Sequence, residues 1–140
     1  MKDDIIIRQP GDKEFEEVKK YIEDFWLDNE TMLKEQFRII LFKNKLVGFG
    51  RIRKNKDATE LCSLGIIKEM RLKGLGKAMV KGLLSEVKKD VFVVCVIPDF
   101  FRKAGFIEVT EYPVSIQKKV NLCTTHYHVG EPYKVLVYKS

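Results

Sequence analysis

Arg71-Leu72-Lys73-Gly74-Leu75-Gly76-Lys77 joins an apolar run that reads as a strand to an apolar pattern that reads as a helix. Glycine lets the backbone bend tightly and approach a ligand closely, and the free N–H groups of a helix start, at the positive end of its dipole, bind phosphate oxygens. Arg71, Lys73 and Lys77 add positive charge beside them, so the stretch is expected to cradle a pyrophosphate. Two other phosphate loops are excluded by spacing. A P-loop needs G-x-x-x-x-G-K-[ST] and a dinucleotide fingerprint needs G-x-G-x-x-G, and Gly74, Gly76 and Gly82 satisfy neither.

Downstream of Gly74, Leu75, Met79, Leu83 and Val87 recur every four residues with Val80 and Leu84 adjoining, which predicts a helix to about Lys89. Upstream, residues 60–67 read as a strand that runs into the loop, with Gly65 marking a bulge. Residues 37–42 and 46–52 are β-rich and flank Lys43, Asn44 and Lys45, the chemistry of a hairpin. Ile5, Ile6 and Ile7 favour an opening strand. Pro10, Gly11 and Asp12 end it, with Asp12 suited to cap a helix over 13–25 whose apolar stripe is Phe15, Val18, Ile22 and Phe25.

Beyond the long helix, residues 91–96 read as a buried strand. Asp99 is suited to cap a short helix that reaches Ala104 and stops at Gly105, 106–110 is extended, and 135–138 closes the sheet. Residues 111–132 have weak periodicity, two prolines and both histidines, and read as an irregular surface excursion of the kind that is functional or mobile. The order of elements predicts a mixed α/β sheet.

At 140 residues, 45% hydrophobic and 33% charged, the chain has the composition of one globular domain spanning 1–140. Its longest apolar run, 91–97, is far short of the roughly 20 residues a spanning helix needs, so neither membrane nor secretion is expected. Three cysteines, Cys62, Cys95 and Cys123, fit free thiols in a reducing compartment, which predicts a cytoplasmic protein. The net charge of +6 is scattered lysine without aromatic interleaving or a helix-turn-helix or zinc-finger pattern, so no nucleic-acid partner is expected.

The hexapeptide Arg71 to Gly76 resembles the R/Q-x-x-G-x-G/A signature of the GNAT acetyltransferase superfamily. The strand end Leu64-Gly65-Ile66 before it, and Lys103-Ala104-Gly105-Phe106 about thirty residues later, strengthen the likeness. The resemblance implies a mixed, mostly antiparallel central sheet flanked by helices, and acetyl-CoA as cosubstrate with no metal. It implies a pantetheine arm pairing with Leu64, Gly65 and Ile66, and a pyrophosphate on Arg71, Leu72, Lys73, Gly74, Leu75, Gly76 and Lys77. Catalysis would be positioning plus removal of a proton from the acceptor ammonium. Glu60, opening the strand before the loop, is the candidate base. Many relatives carry a tyrosine acid where this chain has Phe100-Phe101, and substitutes are Tyr112, Tyr127, Tyr133 or a water.

Residues 96–106 are similar to the F-F-x-K-x-G-F version found in the amino-acid N-acetyltransferases of arginine biosynthesis, which also carry a Lys-rich, Cys-bearing segment comparable to Lys118, Lys119 and Cys123. The implied reaction is acetyl transfer to a primary amine of a small molecule, an amino acid being one candidate, with Lys118 and Lys119 available to an acceptor carboxylate. Acetylation of protein N-termini or lysines, and a non-enzymatic acyl-CoA-binding module, are the alternatives. A homodimer is compatible with this reading. Cys123, His126 and His128 are three metal-binding types where a structural zinc site wants four, so they read as polar loop residues. Cys62 and Cys95, among apolar neighbours, read as core.

Overall fold

The computed structural model describes residues 4–127 and 130–140. Among these residues seven strands form one sheet: β1 (Ile5–Arg8), β2 (Phe37–Phe42), β3 (Lys45–Lys54), β4 (Thr59–Ile66), β5 (Val91–Cys95), β6 (Ile107–Glu108) and β7 (Lys134–Tyr138). Their order is β1-β2-β3-β4-β5-β7-β6, antiparallel throughout except between β4 and β5. Among the described residues four α-helices flank it: α1 (Asp12–Asp24), α2 (Leu75–Leu84), α3 (Pro98–Lys103) and α4 (Val114–His126).

Strand alternation sends successive side chains to opposite faces, and each face acquires its own core. On one face Val18 and Ile22 of α1 bury Phe37, Ile39, Leu41, Leu46 and Phe49. On the other, Leu75, Met79, Val80 and Leu83 of α2 pack with Phe101 of α3 over Ile40, Val47, Leu61, Val93 and Leu136. The row begun by Phe49 continues as Arg51 and Arg53, both buried. The α1 face therefore turns from apolar to ionic along a single strand.

Several boundaries differ from those expected, each for a local reason. The hairpin loop is two residues, because Lys43 and Asn44 both adopt positive φ (49° and 66°), the backbone of a two-residue type I′ turn. Gly11, not Asp12, is the N-cap of α1, and its N–H donates to Glu14 Oε1 at 2.8 Å. Likewise Ile97 caps α3 with Pro98 in the first turn, while Asp99 pairs with Arg102 at 2.5 Å. α2 ends at Leu84, where the bonds tighten to the three-residue spacing of Glu86 N–H to Leu83 O and Val87 N–H to Leu84 O.

The largest departure is α4, which occupies most of the stretch expected to be irregular. Its buried positions are Ile116, Lys119 and Cys123, at helical spacing but with a lysine in the middle of the stripe. The apolar signal is broken at the one position where the buried side chain is charged.

Candidate active site

β4 and β5 are paired only at Thr59 with Val91 and Glu60 with Phe92. Beyond those pairs they separate, and a cleft of about 320 Å³ opens between them, lined among others by Leu61, Ser63, Leu64, Val93, Val96, Ile97 and Phe101. Residues 61–66 of β4 remain bonded to β3 on one side, leaving the other edge available to an extended ligand.

The edge is shaped by a bulge at Ser63 and Leu64, where the register slips between Phe49–Gly65 and Arg51–Cys62. Ser63, rather than Gly65, takes the positive φ (55°). Its side chain offsets the strain: Oγ donates to Asp28 O at 2.7 Å and accepts from Arg51 Nε at 2.9 Å. Gly65 is needed for space, since a Cβ there would stand 2.5 Å from Phe49 Cζ.

β4 leads into the glycine loop. Gly74 caps α2 in the left-handed region (φ 80°), and among the described residues no heavy atom beyond its chain neighbours lies within 4 Å of where its Cβ would be. Leu72, fully exposed, is also left-handed (φ 64°). Arg71 Nε donates to Ile66 O at 2.8 Å, and its guanidinium lies 5.3 Å from the centre of the Phe25 ring. Lys73 and Lys77 are exposed beside the helix start. Open space, helix N–H groups and three cations fit a phosphate-bearing ligand.

A buried ionic cluster closes the inner end of the cleft on the α1 face. Lys119 Nζ lies 2.5 Å from Asp28 Oδ2 and 3.2 Å from Glu60 Oε2. Arg53 Nη2 reaches Asp28 Oδ2 and Glu60 Oε1, both at 2.7 Å. Arg51 donates to Ser63, Gln36 Oε1 and the Thr31 and Asp28 carbonyls. Burial opposes charge on Asp28, yet Lys119 and Arg53 outweigh it and hold its carboxyl far below the usual carboxylate range. Burial likewise opposes charge on Lys119, but the neighbouring acidic groups hold its ammonium above the ordinary lysine value.

Glu60 is 1% exposed and its carboxylate is filled: Oε1 accepts from Arg53 and Asn55 (3.2 Å), Oε2 from Lys119. It lines a polar pocket of about 560 Å³ with Arg53, Asn55 and Ser115, on the other side of Lys119 from the cleft. Lys119 lines both spaces. Lys118 is exposed and lines the polar pocket but not the cleft.

Two of the three tyrosines named as substitute acids, Tyr127 and Tyr133, line the cleft. Tyr133 Oη donates to Tyr127 O at 2.6 Å, and Tyr127 Oη to Asn29 Oδ1 at 3.3 Å. Burial raises both phenols, so both keep their protons at neutral pH. Phe101 is core, set edge-on to Phe100 and Phe106. All three cysteines border the cleft, but burial pushes Cys95 and Cys123 up to about 11 and Cys62 upward, away from the thiolate form.

Among the described residues no group of three or more His, Cys, Asp or Glu is placed to hold a metal, and no helix is long and apolar enough to cross a membrane. Cys123 is buried while His126 is exposed, its Nδ1 3.3 Å from Leu122 O, and His128 lies outside the described residues. Leu64, Gly65, Ile66 and residues 71–77 form one continuous path from strand edge to helix start, apart from Glu60. Sequence reasoning missed Asp28, Arg51, Arg53 and Ser63. The alternation of Phe49, Arg51 and Arg53 on one face was the available signal.

Residues 6–115 match the family described as acetyltransferase (GNAT) domain. No curated protein matches the chain. Among solved structures, N-acetylglutamate synthase from Neisseria gonorrhoeae, complexed with coenzyme A and N-acetyl-glutamate, superposes with a TM-score of 0.76 at 15% identity, over 96% of this chain and 35% of that one. This chain thus spans about a third of that synthase. A Mycobacterium tuberculosis protein in complex with CoA and NLQ gives 0.74 at 17% identity, over 96% and 99%. Ard1 from Thermoplasma volcanium gives 0.70 at 16% identity, over 97% of both chains. These likenesses are of fold.

Proposed function

The chain belongs to the acetyltransferase (GNAT) domain family, and on that premise we propose that it moves acetyl from acetyl-CoA directly to a primary amine of a small molecule. The observation that carries this reading is the parting of β4 from β5 after two residue pairs, which opens a cleft along β4, the strand that leads on to the glycine loop.

The residues fit such a donor. A pantetheine arm carries amides that can add to the free edge of β4 at Leu64, Gly65 and Ile66, and its pyrophosphate suits the open space at Gly74 with Arg71, Lys73 and Lys77 around it. When bound, acetyl-CoA supplies an activated acyl group and a sulfur leaving group. The chain's part is to hold the amine against that group and to manage two protons.

Tyr133 is the proton donor in this reading, its O–H turning from Tyr127 O to the departing sulfur. β5 and β7 pair with Cys95 opposite Lys134, so Tyr133 continues β7 beside the end of β5, at the cleft, and burial keeps its phenol protonated. Glu60, with both oxygens taken by cations, acts as the group that fixes Lys119 and Arg53. The amine's proton then leaves to water. Calorimetry with coenzyme A followed by a thiol-release assay on an amine panel tests the proposal. Binding with turnover of a small amine supports it, and binding with turnover only of peptides assigns the enzyme a protein acceptor.

A further inference from the structure

The cleft is lined largely by apolar and aromatic side chains, among them Phe25, Trp26 and Leu27 from the residues after α1, and Tyr127 and Tyr133 from beyond α4. The charged side chains that line the cleft among the described residues are Asp28 and Lys119, and these two are paired with each other at 2.5 Å. Ser63 is likewise committed, its Oγ donating to Asp28 O. A carboxylate entering the cleft would leave water without gaining an unpaired cation, while an apolar body would gain aromatic surface.

Trp26 adds an independent observation. It follows the last turn of α1 at the left-handed position (φ 56°), with its N–H bonded to Glu23 O at 3.3 Å and that of Leu27 to Ile22 O at 3.0 Å. This is the Schellman ending in which glycine is the usual occupant, because a Cβ is strained there. The chain instead carries its single tryptophan, 67% exposed, at the mouth of the cleft. A large ring held in a strained backbone, with most of its surface in water, contributes little to the fold that glycine would not exceed.

We propose that the acceptor is an amine with an aromatic or extended apolar body and no carboxylate beside the amine, and that Trp26 is the side chain that selects it. This rests on the acetyltransferase reading and narrows its substrate class. It also replaces the expectation that Lys118 and Lys119 meet an acceptor carboxylate, since Lys119 is spent on Asp28 and Glu60 and Lys118 lines the polar pocket rather than the cleft.

The test compares 2-phenylethylamine, L-phenylalanine and L-glutamate as acceptors in the thiol-release assay, with coenzyme A calorimetry on the same protein. The first two share ring and amine and differ by the carboxylate. The expected kcat/KM for 2-phenylethylamine is about tenfold or more above either amino acid, the discrimination a pocket of this kind gives. Trp26→Gly relieves the strained turn, so its thermal midpoint should hold or rise while KM for 2-phenylethylamine rises about tenfold and KM for acetyl-CoA stays constant. Preference for either amino acid overturns the inference, as does an unchanged KM in Trp26→Gly. Coenzyme A binding without turnover of any of the three also overturns it, leaving the donor site intact. Failure to bind coenzyme A overturns the transferase reading itself.

Discussion

Lys119 of α4 and Asp28 of the connection between α1 and β2 form an ion pair at 2.5 Å, both almost wholly buried. An isolated buried charge costs several kcal/mol, so each member requires the others to stay. Glu60 and Arg53 complete a set in which β3, β4, α4 and the α1–β2 connection are joined by charge.

Lys119→Ala should therefore lower stability by about 3 kcal/mol or more, by leaving Asp28 and Glu60 short of a partner. Lys118→Ala, one residue away, should leave the urea midpoint where it is. Equal midpoints for the two variants would show that the cluster contributes nothing.

The acid limb of stability should trace Asp28. Its carboxyl is depressed in the folded protein, so the unfolded chain binds the proton first; the contribution is complete above the unfolded carboxylate value of about 3.9 and fades as pH falls through the lower folded value. Unfolding free energies measured downward from pH 5 should fall in the wild type and fall less steeply in Asp28→Asn.

Gly74→Asp puts a side chain and a negative charge into space that is open in the structure, at a φ that disfavours any side chain. Coenzyme A affinity should drop by more than about tenfold, which is about 1.4 kcal/mol. Circular dichroism should report the native fold, and unchanged affinity in calorimetry would move the pyrophosphate elsewhere.

Glu60→Gln separates two roles. As the group that fixes Lys119 and Arg53, Glu60 should cost about 2 kcal/mol of stability when neutralised, with the shape of the pH–rate profile kept. Loss of the acid limb of that profile, with a rate lower by about a hundredfold, would make Glu60 the base.

Tyr133→Phe removes one hydroxyl from the cleft. The turnover number should fall by about a hundredfold with the affinity for coenzyme A unchanged, as for a lost proton donor. A wild-type rate would assign the proton to Tyr127 or to water.

Much of the fold could be read from residues whose neighbours in sequence are also their partners in space. The repeat from Leu75 to Leu83, the β-rich runs on either side of Lys43 and Asn44, and the glycines at 74 and 76 each carry a local signal, and each corresponds to an element of the structure. The ionic cluster could not be read that way, because Asp28 and Lys119 are distant in sequence from each other and from the Arg53–Glu60 pair, and charged residues ordinarily signal surface. The same cause hid α4, whose stripe passes through Lys119. The bulge was assigned to Gly65 because glycine is the usual marker, whereas Ser63 holds it by hydrogen bonds to groups that only the folded chain brings near.

The two-pair contact between β4 and β5 also bears on mechanics. Strands β1 to β4 and strands β5 to β7 are two half-sheets stitched by a short backbone seam. α4 packs on β5 while its Lys119 grips Glu60 of β4, so one helix spans the seam as a brace. The width of the gap between the half-sheets is thus governed by a charge pairing on one face of the sheet. Loosening that brace should let the halves breathe before either one melts, with amide exchange quickening first at Thr59, Glu60, Val91 and Phe92.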